Sequence, residues 1–286
     1  MQKNFKSVFY AKNLSDIFYN LKTVPHLKIL AGCTQCKRTF DGQCYNLPDS
    51  SLVIRAISEL KKISRKEHFI TFGSAVSLNS ILDLGKKHVP SVLYEAVDQM
   101  ATSSIRNLAT IGGNICAANC KTSLYAPLIA LDTELEYKSP RETKTVNFSY
   151  FKGIPEGYIL TEIKIPLEDW NISIYKRLGP KTVLSDESGS FCFLADTSRG
   201  VLSDFHIVYC KEIILRSREL ENKLIGSRLP LNRHSIDNLI NDYISIFSSE
   251  FITTEKYKNS DDAENEFSFQ KWQLANLLKY SFEHLV

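Results

Sequence analysis

The chain has 286 residues, of which 43% are hydrophobic and 23% charged, a composition typical of a soluble globular protein rather than a fibrous, disordered or membrane-embedded one. The net charge is +3 with Lys and Arg spread along the chain, so no nucleic-acid partner is expected. No apolar run approaches the roughly 20 residues of a membrane helix, and the first residues lack the apolar stretch of a signal peptide. We therefore expect a cytoplasmic protein without membrane insertion.

Short helices and strands alternate in the first half of the chain. Apolar residues recur at helical spacing over 14–21, which predicts a first helix. A β-prone run over 27–30 stops at Ala31 and Gly32, as is typical of a strand that enters a tight turn. A second strand is predicted over 52–57. Further on, 105–115 places two adjacent glycines among β-prone residues, where backbone must approach something closely or adopt a φ that side chains forbid.

The second half begins at a composition shift near residues 166–169, where we place a domain boundary. Alternating β-prone runs follow, and then two amphipathic segments. The predicted strands lie at 172–175, 191–195 and 205–209, and the predicted helices at 218–225 and 235–247.

Two glycine-bearing turns, at 30–35 and 109–114, are the candidates for holding a phosphorylated ligand. A diphosphate needs several backbone N–H groups that point at one place, and glycine turns at strand ends provide them because no Cβ blocks the approach. Neither turn matches the G-x-G-x-x-G fingerprint or the P-loop pattern. Taken singly, each turn is also explained by packing alone.

The segment IRNLATIGGNI at 105–115, preceded by the Ala31-Gly32-x-Thr34 turn, resembles the FAD-binding subunit of the xanthine dehydrogenase and carbon monoxide dehydrogenase family. The resemblance covers most of the chain and is clearest from about 27 to 177. Other matching segments, in the family's order, are 72–78, 126–132, 157–166 and 175–177.

This resemblance implies an α+β fold. A PCMH-type (vanillyl-alcohol-oxidase-like) FAD-binding domain would consist of two α/β subdomains, residues 1–50 and 51–168. A C-terminal α+β flavoprotein domain would follow at 169–286.

The resemblance also implies the cofactor-binding residues. Met100 would pack on the adenine, Leu160 and Lys176 would border the flavin ring, and Ser123 would stand near the second turn. A cation beside the flavin would stabilise its anionic reduced form, although Lys176 is equally compatible with a solvated lysine beside a strand. The FAD diphosphate would be wrapped by Ile29, Leu30, Ala31, Gly32, Cys33, Thr34, Gln35 and Cys36, and by Thr110, Ile111, Gly112, Gly113 and Asn114.

The implied function is electron transfer within a heteromeric complex. Electrons would pass from a [2Fe–2S] small subunit through FAD to NAD⁺ or another acceptor. Because the chain shows no molybdenum-site motif and no ferredoxin-like cluster of four cysteines, substrate oxidation would take place on a molybdopterin-binding large subunit. The substrate of such a complex is not encoded in this chain.

Two alternatives remain open. The chain departs from the family pattern at Cys33, Ser123 and Tyr158, which is compatible with an assembly or interaction protein that keeps the fold without flavin. The spacing Cys33-x-x-Cys36 with Cys44 suggests instead a metal-binding protein. A zinc ribbon needs a second C-x-x-C that the chain lacks, so we expect no metal and mostly free thiols.

Overall fold

The structure is a computed structural model that describes residues 6–35, 47–117, 123–179, 188–252 and 263–285. In this part of the chain the strands are β1 (Ser7–Tyr10), β2 (Lys28–Leu30), β3 (Ser50–Val53), β4 (Ile63–Arg65), β5 (Phe69–Gly73), β6 (Glu134–Lys138), β7 (Thr143–Asn147), β8 (Ile159–Pro166), β9 (Ile172–Leu178), β10 (Gly189–Ser198), β11 (Val201–Cys210) and β12 (Ile214–Leu215). The α-helices are α1 (Leu14–Thr23), α2 (Leu78–Asp83), α3 (Ser91–Asp98), α4 (Ser103–Leu108), α5 (Ile111–Ile115), α6 (Tyr125–Ala130), α7 (Arg218–Leu224), α8 (Arg233–Ile252) and α9 (Ala263–Phe282). None of these helices combines the length and the apolar character needed to span a membrane.

The chain forms two compact units. The described residues of the first unit are 6–35, 47–90, 100–117 and 131–167, and the remaining described residues form the second unit. The long C-terminal segment of the second unit starts at Glu168, close to the composition shift. Helices α3 and α6 also belong to this unit, because they pack against strands of its sheet. The domain bounds at 50 and 168 stay a prediction.

A parallel sheet with strand order β1-β3-β2 opens the first unit. Helix α1 is confirmed, and Asn13 caps it by accepting a hydrogen bond from the backbone N–H of Asp16 at 2.9 Å. The helix buries Ile17 in a core shared with Leu52. Parallel strands end at the same edge of a sheet, the edge at which open α/β sheets bind ligands, so the turn that follows β2 is well placed for a ligand.

The predicted strand over 52–57 is wrong beyond Val53, where β3 ends. Ile54 and Ile57 are apolar because they are buried in the core, with 4% and 1% of their surface exposed, and not because they pair in a sheet. The backbone N–H of Ile54 donates to the carbonyl of Leu30 at 3.0 Å, which fixes the end of β2 against the end of β3.

The same unit contains an antiparallel sheet with strand order β4-β5-β8-β6-β7. From Thr161 onward, strand β8 alternates buried and half-buried residues, as expected for a sheet with one face on a core. Strand β5 ends at Gly73, and the turn that follows presents the carbonyl groups of Ser74 and Val76. These two carbonyls accept hydrogen bonds from backbone amides of the second glycine turn.

The second unit is built on an antiparallel sheet with strand order β12-β11-β10-β9. Strands β10 and β11 form a hairpin whose two loop residues, Arg199 and Gly200, have φ values of 51° and 73°. That conformation matches the right-handed twist of the strands. An aromatic core that includes Phe193, Phe205 and Phe282 joins this sheet to α8 and α9. The strands and helices predicted in this half are confirmed in type, with longer bounds for most of them.

The β-prone stretch over 105–115 forms two short helices, α4 and α5, and no strand. Each helix begins at a threonine: the Oγ1 of Thr102 accepts from the backbone N–H of Ile105, and the Oγ1 of Thr110 accepts from that of Gly113. Because a threonine N-cap satisfies an amide at the start of a helix, local capping prevails over β propensity here. The second glycine turn is therefore a helix start and not a strand end.

Candidate functional site

The two glycine turns line one cavity of about 430 Å³ in the first unit. We call residues 29–35 the first glycine loop and residues 109–117 the second glycine loop. Every residue of the first loop borders the cavity, and Pro48 completes the described lining. The contributing residues of the second loop are Ala109, Thr110, Gly113, Asn114, Cys116 and Ala117.

Gly32 makes the contact between the two loops possible. A Cβ atom at this position would lie 2.0 Å from the carbonyl oxygen of Leu108 and 3.1 Å from the Cα of Ala109. Both atoms are backbone and cannot move aside as a flexible side chain would. Gly32 is thus required by the close approach of two backbones, and its φ does not lie in the left-handed region.

The first glycine loop leaves several backbone donors available. The N–H groups of Ala31, Gly32, Thr34 and Gln35 donate no hydrogen bond to any residue that the structure describes. Cys33, between them, has a φ of 55°, the left-handed conformation that favours glycine. Consecutive N–H groups in a bent backbone form a concave anion-binding surface, so this loop can donate to a phosphate.

In the second glycine loop, the backbone amides of residues 111–114 already donate hydrogen bonds within the protein. The N–H of Ile111 donates to the Val76 carbonyl at 3.0 Å, and that of Gly112 donates to the Ser74 carbonyl at 2.9 Å. Those of Gly113 and Asn114 donate to the Oγ1 and the carbonyl of Thr110 at 3.0 and 2.9 Å. The expectation that these amides face a dinucleotide is therefore wrong. The Thr110 hydroxyl accepts with its oxygen and keeps a proton to donate.

The two glycines of the second loop have different surroundings. A Cβ on Gly112 would lie 2.6 Å from the carbonyl oxygen of Ser74, so this glycine is buried against the turn after β5. A Cβ on Gly113 would meet only the Oγ1 of Thr110, at 2.8 Å, and Gly113 is exposed in the cavity wall. Gly112 thus serves packing, whereas Gly113 keeps the cavity open.

No acidic or basic side chain belongs to the described lining of this cavity. Desolvation by the surrounding chain raises the pKa of the Cys116 thiol to about 12, so Cys116 is neutral at pH 7. A negatively charged ligand in this cavity would meet neutral donors and no repelling carboxylate.

Two further predicted residues of the first unit, Met100 and Leu160, do not border this cavity. Met100 is buried, and its Sδ accepts a hydrogen bond from the Nδ2 of Asn114 at 3.7 Å. Arg106 fixes the same turn by donating to the carbonyls of Met100 and Ala101, each at 2.9 Å. Leu160 is buried in β8 opposite Tyr137. Cys36 lies outside the described residues, and so does Cys44 of the alternative metal site.

Two predicted residues belong to the second unit. The Ser123 hydroxyl accepts a hydrogen bond from the Arg177 guanidinium, and its carbonyl accepts one from the Tyr175 hydroxyl at 3.2 Å. The Nζ of Lys176 lies 4.9 Å from the centroid of the Tyr280 ring. The roles of Ser123 near the second turn and of Lys176 beside the flavin stay predictions.

Sequence reasoning missed Pro48, Cys116 and Ala117 as parts of the cavity wall. Cys116 and Ala117 lie two and three positions beyond Asn114, so extending the second turn by three residues would have found them. Pro48 carries no signal, since it follows a segment with no recognisable pattern. Within the described residues, no group of three or more His, Cys, Asp and Glu is arranged to hold a metal ion.

Comparison with known proteins places the chain in a family. Residues 3–168 match the model of the FAD-binding domain in molybdopterin dehydrogenases. The chain is 25% identical over 224 residues to the glyceraldehyde dehydrogenase medium chain of Sulfolobus acidocaldarius, covering 74% of this chain and 76% of that one. It is 29% identical over 158 residues to the xanthine dehydrogenase FAD-binding subunit of Escherichia coli O157:H7, covering 53% and 52% of the two chains.

The fold agrees with a solved relative. A chain of carbon monoxide dehydrogenase from Hydrogenophaga pseudoflava superposes with a TM-score of 0.79 at 17% identity, covering 98% of this chain and 97% of that one. The predicted α+β class with a PCMH-type FAD-binding domain is thereby confirmed. The family model, which spans more than half of the sequence, identifies the chain as a member of the FAD-binding domain family of molybdopterin dehydrogenases, a FAD-binding subunit of an oxidoreductase.

Proposed function

We propose that this FAD-binding subunit holds the FAD diphosphate on the first glycine loop and against the second, and that it relays electrons from a [2Fe–2S] partner to NAD⁺ or another acceptor. The observation that carries the proposal is the convergence of the two loops on one cavity, in which the backbone N–H groups of Ala31, Gly32, Thr34 and Gln35 have no acceptor among the described residues.

The chemistry of this donor set fits a diphosphate. Backbone N–H groups hold phosphate oxygens without the mobility of a long side chain, and the hydroxyl of Thr110 adds a donor from the opposite loop. Because Gly113 has no side chain, a ligand in the cavity can come close to the backbone at this position. When bound, FAD supplies the ability to accept and release one or two electrons, while the chain provides position and electrostatics.

The first experiment measures flavin on the purified chain. We expect the absorption of oxidised flavin and about one FAD per chain. A colourless protein that ignores added FAD would support the flavin-free alternative instead. Zinc or iron found by elemental analysis at about one equivalent, without flavin, would support the cysteine-based alternative.

The proposal retains the predicted roles of Met100 at the adenine, of Leu160 and Lys176 at the flavin ring, and of Ser123 near the second turn. The Lys176→Met variant tests the electrostatic role. If the ammonium group lies beside the flavin, the midpoint potential becomes more negative, because a charge that stabilises the anionic reduced form is lost. The exposed Lys152 gives a matched control, and the Lys152→Met variant keeps the original potential.

The proposed partners are a molybdopterin-binding large subunit and a [2Fe–2S] small subunit. Support comes from the relatives, whose names describe a medium chain and a FAD-binding subunit of dehydrogenases. Mass spectrometry of proteins that co-purify from native lysate tests this part. We expect both partners in constant ratio, whereas a chain that always purifies alone and intact contradicts the assembly but leaves FAD binding to the spectroscopic test.

A further inference from the structure

A second cavity, of about 210 Å³, lies in the first unit next to the proposed FAD site. Its polar lining consists of Arg55, Lys61, Ser77, Ser80, Asn107 and Thr110, and the rest of the described lining is apolar. Nothing in the sequence patterns or in the family resemblance gives these residues a role as a group. Cavities that hold drug-sized ligands start at roughly 300 Å³, so the size favours a small ligand.

The charge of this cavity is positive. Arg55 and Lys61 both border it, and no acidic residue belongs to its described lining. Neither cation forms an ion pair with a carboxylate in the described ranges. Two positive charges at one cavity without a counter-ion favour an anion.

The Arg55 side chain is held in place. It is half-buried, and its Nη2 donates to the carbonyl of Asn107 at 3.2 Å. A guanidinium has five N–H donors in a fixed planar arrangement, so this anchor leaves further donors for an oxyanion. Arg55 thus differs from a freely solvated surface arginine.

The two serines add a neutral donor. The Oγ atoms of Ser77 and Ser80 lie 2.8 Å apart, and the Ser77 Oγ also accepts the backbone N–H of Ser80 at 3.2 Å. Only one proton lies between two hydrogen-bonded hydroxyl oxygens, so the other hydroxyl has a proton that it can donate to a ligand.

We propose that this cavity binds a phosphate-sized oxyanion, held by Arg55 and Lys61 and by a hydroxyl of the serine pair. The oxyanion is a free ion or the phosphoryl group of a small phosphomonoester, and both offer the same oxygens to these donors. The proposal stands on the residues of this cavity and does not depend on flavin binding. Because Thr110 lines both cavities, a bound anion also rests against the wall of the larger one.

The test titrates the purified full chain with inorganic phosphate, and separately with AMP, by calorimetry at low ionic strength in a phosphate-free buffer. We expect saturable binding of phosphate that weakens about tenfold in the Arg55→Gln, Lys61→Gln double variant. The Lys62→Gln variant is the matched control, because Lys62 is an exposed neighbour that does not line the cavity, and it keeps the original affinity. Tighter binding of AMP than of phosphate would identify the phosphoryl group as the natural ligand, and binding of phosphate alone would identify the free ion.

Three outcomes overturn the proposal: no saturable binding of either probe, equal affinity in the double variant, or an equal loss in Lys62→Gln. Displacement of phosphate by FAD would also overturn it, since the cavity would then be part of the flavin site. The Arg55→Lys variant is a control for loss of binding that is caused by misfolding and not by loss of the positive charge. It keeps the charge, and we expect it to retain most of the affinity with an unchanged circular dichroism spectrum.

Discussion

The first and second glycine loops border the same cavity but use their backbone amides differently. In the first loop, the N–H groups of Ala31, Gly32, Thr34 and Gln35 have no acceptor in the described chain. In the second loop, the four amides of residues 111–114 donate to acceptors of the protein itself. Two glycine motifs with similar sequences thus differ in function within the fold: the first has amides available for the proposed ligand, and the second has amides that hold the cavity wall together.

This comparison also separates the glycines by purpose. Gly32 and Gly112 sit where a Cβ would meet backbone atoms at 2.0 and 2.6 Å, so their absence of a side chain serves the packing of the fold. Gly113 has no backbone neighbour of that kind and is exposed in the cavity wall. Of these three glycines, only Gly113 is explained by the space of the cavity and not by packing against another backbone segment. Substitutions that add one methyl group test this distinction.

The largest effect is expected for Gly32→Ala. The new methyl overlaps the Leu108 carbonyl, so the two loops must separate, and we expect a loss of unfolding free energy on the order of 3 kcal/mol. FAD affinity should fall by about a hundredfold or more, because both walls of the cavity move. Thermal unfolding and FAD titration measure the two effects. The control is Ala31→Gly, which introduces no overlap; a Gly32→Ala protein with original stability and flavin content would show that the loops are not in contact.

Gly112→Ala and Gly113→Ala should separate folding from binding. The Gly112→Ala methyl overlaps Ser74 backbone and costs about 2 kcal/mol of unfolding free energy. The Gly113→Ala methyl meets only the Thr110 hydroxyl, so stability changes by less than about 1 kcal/mol. It stands in the cavity, however, and we expect about tenfold weaker FAD binding. Denaturant unfolding and FAD titration of both variants decide this, and the same ranking in both measurements would refute the division between the two glycines.

Thr110→Val and Thr102→Val form a matched pair of helix caps. Each removes a threonine hydroxyl that accepts an amide at the start of a short helix, and each should cost about 1 kcal/mol of unfolding free energy. Only Thr110 lines the cavity, so only Thr110→Val should weaken FAD binding, by about fivefold. The Thr110→Ser variant keeps the hydroxyl and should bind as the original chain does. Equal FAD affinity in the two valine variants would remove the Thr110 hydroxyl from the proposed site.

The smallest effect is expected for Cys33→Gly. A left-handed φ costs a non-glycine residue roughly 1–2 kcal/mol, but glycine also gains freedom in the unfolded chain. The two terms offset each other in part, so we expect a net gain in unfolding free energy of less than about 1 kcal/mol, measured by denaturant titration. A substantial loss of stability would mean that the Cys33 side chain makes a contact the fold needs.

Several features of the fold could be read from local sequence. Helix α1 follows from apolar residues at helical spacing, and β10 and β11 follow from two β-prone runs on either side of Arg199 and Gly200. The family, and with it FAD, followed from the motifs around Gly32 and Gly112, which are specific because a Cβ at either glycine would overlap the backbone of another segment.

Long-range contacts decided the rest. Ile54 and Ile57 look like strand residues, since burial and strand pairing select the same side chains. The hydrogen bonds of the Ile111 and Gly112 amides could not be predicted either, because their acceptors on Val76 and Ser74 lie more than thirty residues away and have no side-chain signature.

The sequence by itself therefore determined the type of most elements, the family and the cofactor. These depend on hydrophobic periodicity, helix capping and short motifs, all of which are formed by residues close together in the sequence. The tertiary structure alone decided which amides remain for a ligand, which glycine faces the cavity, and that Arg55 and Lys61 border a second one. The reason is physical: a backbone N–H or a surface cation is the same group in every sequence, and its availability depends only on the partner that the fold brings to it.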